Sequence, residues 1–207
     1  MHGFMSSALL SSLKLPLVWL YGSMGLVSIL THLYVFNISY DHYFQFDRSM
    51  ITTGEYWRLF TCHFLHLSSY HLIMNLLGLG MVIYILNLHE SWLVHFIFIL
   101  FNTLFVSSFL LIFAPDLQWY VGLSGILHGL FIFALYSSPH YSYWIKAVIY
   151  TSIVAKILWE YSPYYDDMSS FDNIGGRVEY RAHFYGVLAG VTFIILCQIK
   201  KRFLKRE

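Results

Sequence analysis

A serine in "YVGLSGILHG" (residues 120–129) and a histidine in "RAHFYGVLAG" (residues 181–190) are the side chains of this chain best suited to covalent chemistry. A serine hydroxyl becomes a nucleophile when a base stands within about 3 Å. Imidazole is the side chain that accepts and returns a proton near neutral pH. Ser124 and His183 are far apart in sequence, so only a fold can bring them together. A third cluster, "HLSSYHLIMN", carries His66, His71 and Asn75. His71 and Asn75 are related by i, i+4 and share one helix face. An imidazole and an amide stacked one turn apart can donate to a developing oxyanion; used structurally, the same pair is an interhelical hydrogen bond.

Two competing chemistries fit less well. A hydrolase elbow needs glycine two residues after its serine, on a strand-turn-helix, and here Ile126 occupies that place. A metal site has eleven histidines to draw on, yet there is no H-E-x-x-H. His66 and His71, at i, i+5, point about 140° apart on a helix. No carboxylate falls in the second, fourth or sixth apolar segment, and Glu90 and Glu160 sit at segment ends or in connections. No metal and no cofactor is expected. His2, His32, His42, His89, His95 and His140 are scattered and read as interfacial or loop residues.

The elements that must position these groups are membrane helices. The chain is 58% hydrophobic and only 11% charged, against about 45–50% and about 25% for an ordinary soluble domain. Its mean hydropathy is +0.61, and aromatic residues gather near segment ends, as suits a bilayer interface. Six apolar segments, at about 15–36, 68–88, 92–114, 122–138, 142–160 and 181–200, approach the roughly 20 residues that a bilayer core requires. No connection is polar or long enough to make a soluble domain, so residues 1–207 read as one all-α membrane domain of six transmembrane helices. No cleavable signal peptide is expected, because no small-residue cleavage site follows the first segment. Cys62 and Cys197 fall near opposite faces and are expected as two thiols. The net charge of +1 gives no nucleic-acid signal, and the basic character concentrates in "KKRFLKRE". By the positive-inside rule, Lys200, Lys201, Arg202, Lys205 and Arg206 place the C-terminus in the cytoplasm. Six spans then return the N-terminus, with Lys14, to the same side.

In this topology the second, fourth and sixth helices all start at the outer face. His71, Ser124 and His183 then lie at one depth, each within about a turn of its helix start. Polar groups in spanning helices are costly and mark functional sites. Gly125 with Gly129, and Gly186 with Gly190, form small-xxx-small pairs that let the fourth and sixth helices approach closely. That approach is what a Ser124–His183 hydrogen bond needs. Gly122 leaves room near the hydroxyl for a substrate backbone.

These residues resemble the rhomboid family of intramembrane serine proteases. "HFLHLSSYHLIMN" is similar to its H-x4-H-x3-N at His66, His71 and Asn75. "GLSG" is similar to its G-x-S-G at Gly122, Ser124 and Gly125, and "AHFYGVLAG" to its A-H-x-x-G-x-x-x-G at Ala182, His183, Gly186 and Gly190. "YWRLF" resembles the Trp-Arg of its first outer loop, at Trp57 and Arg58. The resemblance implies a six-helix rhomboid-like bundle. It also implies a Ser124–His183 dyad, with the oxyanion met by His71, Asn75 and the Ser124 N–H. "GEYWRLFTCHFLHLSSYHLIMNLLGL" and "YVGLSGILHGLF" look most like the rhombosortase branch. That branch implies a Gram-negative inner membrane and a site opening to the periplasm. Its substrates are transmembrane proteins with a C-terminal Gly-Gly, hydrophobic-helix and basic-tail signal.

No acidic third member is evident, since Asp116, Asp166, Asp167, Asp172 and Glu179 lie in connections. Where the family often has a tyrosine one turn after the serine, this chain has His128, placed to stack on or bond to His183 in support. His66 is expected to brace the outer loop. The alternative function is an inactive rhomboid-like protein that binds membrane clients without cutting them, though such a binder has no need of both Ser124 and His183. A small transporter or a haem-binding membrane protein would explain histidines but not the serine among its glycines.

Overall fold

A computed structural model describes residues 7–38, 43–86, 91–166 and 174–204, with side chains from residue 15 to 34 in the first stretch. Helices α1 (Ser7–Ile38), α4 (Ser69–Ile85), α5 (Trp92–Phe113), α6 (Ser124–Ser137), α7 (Tyr143–Glu160) and α8 (Tyr180–Leu204) fall on the six apolar segments. Two short helices, α2 (Arg48–Thr52) and α3 (Arg58–Thr61), fill the first long connection, and a 3-10 turn at Cys62–Phe64 follows. Lys205, Arg206, His2, His42, His89, Glu90, Asp167 and Asp172, which entered the sequence reading, lie outside the described residues.

The six segments are not six equal spans. Helices α1, α5 and α8 are long and apolar enough to cross a membrane alone. Helix α4 joins them only together with Arg58–Phe64, from which it turns by 95°. Helix α6, with 14 residues, rises about 21 Å, short of the roughly 30 Å hydrocarbon core. Helix α7 carries Lys146, Lys156 and Glu160. The reason α6 can be short is its position. It packs against α4, α5 and α8, and Gly125, Ile126, Leu127, Gly129, Leu130 and Ile132 through Leu135 are all buried. A helix enclosed by other helices need not match the lipid.

Helices α6 and α8 make the most extensive contact in the molecule, and glycines make it possible. A Cβ on Gly129 would lie 2.6 Å from the Gly186 carbonyl oxygen, and one on Gly190 would lie 2.9 Å from that of Gly129. Below this crossing, Phe98, Phe133 and Phe193 pack with ring centroids 4.6–5.5 Å apart.

Two scattered histidines belong to the core, not to the interface or the loops. His95 is fully buried, and its Nδ1 lies 2.9 Å from the Tyr21 hydroxyl. His32 is buried with Nε2 3.2 Å from Ser69 Oγ. In both cases a neighbouring hydroxyl meets the ring nitrogen, which is how a polar side chain is accommodated inside a bundle. Cys62 and Cys197 form no disulfide.

The chain entering α6 is tied down from outside the bundle. Strand β1 (Phe46–Asp47) pairs antiparallel with β2 (Trp119–Tyr120), Phe46 opposite Tyr120. Arg48 donates to the carbonyls of Leu110, Leu111, Ala114 and Leu117 at 2.7–3.1 Å. One guanidinium thereby gathers carbonyls from the end of α5 and the turn after it. Asp47 caps α2 by accepting from the Met50 N–H at 3.1 Å. The Ser49 hydroxyl, 2.6 Å away, holds the Asp47 carboxyl below the usual carboxylate range. Arg58 is buried and bonds Glu55 at 2.6 Å and the Gln45 carbonyl at 3.0 Å, anchoring α3 beneath this loop.

Candidate active site

Ser124 is the first residue of α6, so its N–H belongs to the helix start, where backbone donors lack helical partners. The turn before it depends on glycine. Gly122 has φ +130°, a conformation that other residues rarely adopt. Its N–H donates to the Cys62 carbonyl at 3.0 Å, and its own carbonyl accepts from the Tyr120 hydroxyl at 2.8 Å. A Cβ there would meet His71 Cε1 at 3.0 Å and Nε2 at 3.1 Å. The His71 ring lies against the face of Gly122 where a side chain would be. Gly122 brings that ring up to the start of α6.

His183, on the first turns of α8, is buried, and its Nε2 lies 3.0 Å from Ser124 Oγ. This is the juxtaposition expected from depth and the glycine pairs. The sequence missed the other side of the ring. Glu160, the last residue of α7, places Oε1 at 2.9 Å and Oε2 at 3.1 Å from His183 Nδ1. The expectation that no carboxylate reaches His183 is overturned. Glu160 was discounted as a residue at a segment end. Yet α7 runs opposite to α6 and α8, so its end lies level with their starts. The available signal in the sequence is the Lys156–Glu160 pair, i, i+4, at the end of an apolar segment.

His128 lies over His183, one turn after Ser124. Its ring stacks on His183 with centroids 4.4 Å apart and planes 24° from parallel. Its Nδ1 donates to the Ser124 carbonyl at 2.7 Å, locking the ring to the serine's own turn. His183 is thus held in its plane by a carboxylate and on its face by a second imidazole.

On α4, Ser68 caps the helix by accepting the His71 N–H at 3.1 Å. His71 Nδ1 accepts a long contact from the Leu67 N–H at 3.5 Å. With Nδ1 an acceptor, the neutral ring carries its proton on Nε2, the atom beside Gly122. Asn75, one turn deeper, is buried, and its Nδ2 has no hydrogen-bond partner among the described residues. An unpaired buried amide is costly. His66 is buried beside the 3-10 turn. It packs edge-on against His71, centroids 5.1 Å apart.

Ser124, His183, His71, Lys156 and Glu160 all face one cavity of about 850 Å³. Its outer rim includes Asp116, Glu179 and Arg181. Arg181 bonds Asp116 at 2.7 Å and Glu179 at 2.6 Å, and the guanidinium holds the Asp116 carboxyl below its ordinary range. A cavity of this size, with both polar and apolar walls, has room for water beside the serine. Among the described residues, no three His, Cys, Asp or Glu side chains converge as a metal-holding group.

The family profile described as the Rhomboid domain matches residues 53–199, a stretch that contains α3, Ser124, His183 and both glycine pairs. No curated protein matches the chain. With well over half of its length matched, and with helices apolar enough to span a bilayer, the chain is an integral membrane protein that belongs to the rhomboid family of intramembrane-protease-like proteins.

Proposed function

We propose that the protein is an intramembrane serine endopeptidase, a single six-span domain over residues 1–207. The observation that carries this reading is the 3.0 Å contact between Ser124 Oγ and His183 Nε2, both of which line one cavity. His183 Nε2 takes the hydroxyl proton as Oγ attacks the scissile carbonyl. His71 Nε2, Asn75 Nδ2 and the Ser124 N–H meet the oxyanion as it forms. The C–N bond then breaks, and His183 returns the proton to the leaving amine. Water, deprotonated by the same imidazole, hydrolyses the acyl-enzyme. General-base transfer contributes about 10²–10⁴ in rate, and one oxyanion donor roughly 10²–10³.

The substrates in this reading are membrane-anchored proteins with a C-terminal Gly-Gly, hydrophobic-helix and basic-tail signal, as in the rhombosortase branch. A helix must unwind to offer a carbonyl to Ser124, and each glycine weakens a helix by about 1 kcal/mol relative to alanine. The cavity opens to the periplasmic face of a Gram-negative inner membrane, with both termini cytoplasmic. The basic residues Lys200, Lys201 and Arg202 at the far end of α8 support that orientation.

The test is cleavage in liposomes. Purified protein is expected to cut a transmembrane substrate whose helix opens with Gly-Gly, and to cut a Leu-Leu replacement at least about tenfold more slowly, the two glycines' combined helix weakening. Equal cleavage of both would remove the Gly-Gly specificity. Absence of any cleavage would favour a client-binding protein.

A further inference from the structure

Glu160 is a carboxylate where a helix least favours one. It ends α7, at the negative pole of the helix dipole, and is 6% exposed. A buried carboxylate without partners is strongly unfavourable, so its surroundings indicate what it is for. Both oxygens face His183 Nδ1, at 2.9 and 3.1 Å, and Oε1 also accepts from the Lys156 ammonium at 2.5 Å. A ring nitrogen meets a carboxylate as a donor. The Lys156 ammonium also lies 3.3 Å from Nδ1, but the carboxylate is closer and already engages that ammonium, so the proton of the neutral ring sits on Nδ1 and Nε2 presents its lone pair to the Ser124 hydroxyl.

We propose that Glu160, steadied by Lys156, is the positioning residue of His183, completing a Ser124–His183–Glu160 chain. The carboxylate fixes the imidazole tautomer and aims Nε2 at the nucleophile. It also faces the positive charge that the ring gains when it takes the serine proton, which lowers the barrier to that step. Lys156 balances the carboxylate in the resting state, so the pair adds little net charge beside the site. A plain bridge between α7 and α8 would not need the other nitrogen of the same ring to stand 3.0 Å from Ser124 Oγ.

This inference rests on the protease reading above and adds the group that orients its base. The charged and titratable groups facing His183 are Glu160 and Lys156 from α7, His128 from α6, His71 from α4 and Glu179 before α8. The test is turnover of a transmembrane substrate in liposomes across pH, for wild type, Glu160→Gln, Glu160→Asp and Lys156→Gln. Glu160→Gln is expected to lower kcat by about 100-fold or more with KM little changed. The acid limb of kcat/KM reports protonation of His183. Removing a carboxylate moves that limb to lower pH, and removing the Lys156 ammonium moves it to higher pH. Glu160→Asp should recover part of kcat. The Lys156 side chain is about half exposed, at 46%, so Lys156→Gln keeps the test open if Glu160→Gln folds poorly.

Unmoved acid limbs in Glu160→Gln and Lys156→Gln would overturn the positioning role, whatever the loss of kcat. An active wild type with such limbs would leave the protease reading standing. Equal absence of turnover in wild type and Ser124→Ala would remove both.

Discussion

Ser124→Ala and His183→Ala each reduce cleavage to background, a loss on the order of 10³–10⁶ in kcat, and the double variant is no worse than either single one. The reason is that attack and proton transfer are one event. Without the His183 ring, the hydroxyl 3.0 Å away keeps its proton and is a poor nucleophile. Without the hydroxyl, the imidazole has nothing to activate. Their contributions therefore overlap instead of multiplying. The measurement is single-turnover cleavage in liposomes, with secondary structure matched by circular dichroism. Multiplying effects, or a His183→Ala variant close to wild type, would show that the two groups act separately.

Gly186→Ala is the second large effect, and it acts through the backbone. A Cβ on Gly186 would overlap the Gly125 carbonyl oxygen and crowd the Gly125 carbon at 3.0 Å and the Gly129 nitrogen at 3.3 Å. None of these atoms can swing aside, as a side chain would. Helices α6 and α8 must part, at about 1–3 kcal/mol for overpacking. His183 lies one turn before Gly186, and Ser124 is adjacent to Gly125, so the parting opens the Ser124–His183 contact itself. A displacement near 1 Å costs about 10²-fold in rate. Activity is thus expected to fall about 100-fold while the midpoint of thermal unfolding drops by several degrees. Gly80→Ala, in α4, is the internal control. A Cβ there meets nothing within 4 Å, and alanine favours a helix. It should leave both quantities unchanged or raise stability. Equal behaviour of Gly80→Ala and Gly186→Ala would refute the close-crossing account.

Much of the site was legible because apolar runs fix helices, and helix direction fixes depth. Ser124, His183 and His71 were placed level with one another by counting turns, and the glycine pairs identified the α6–α8 crossing. His128, one turn after Ser124, could be aimed at His183 by helical periodicity alone. What escaped has physical reasons. Glu160 ends α7, and whether a helix end is buried depends on how α7 leans on α8, which no periodicity reports. The positive φ of Gly122 is a turn geometry, and neither it nor the His71 ring packed beside it is reported by helical periodicity. The 95° bend ahead of α4 arises where Leu65, extended at φ −91° and ψ 152°, ends the 3-10 turn. His32 and His95 were read as peripheral because their hydroxyl partners, Ser69 and Tyr21, come from other helices.

The central claim is that Ser124 is a nucleophile activated by His183 inside the membrane domain. The most direct measurement is covalent labelling by a fluorophosphonate in native-like lipid, with the modified residue located by mass spectrometry. The account predicts one adduct, on Ser124, lost in Ser124→Ala and slowed by at least about 100-fold in His183→Ala, the scale of general-base catalysis. An adduct on another residue, or labelling that persists in Ser124→Ala, would contradict it.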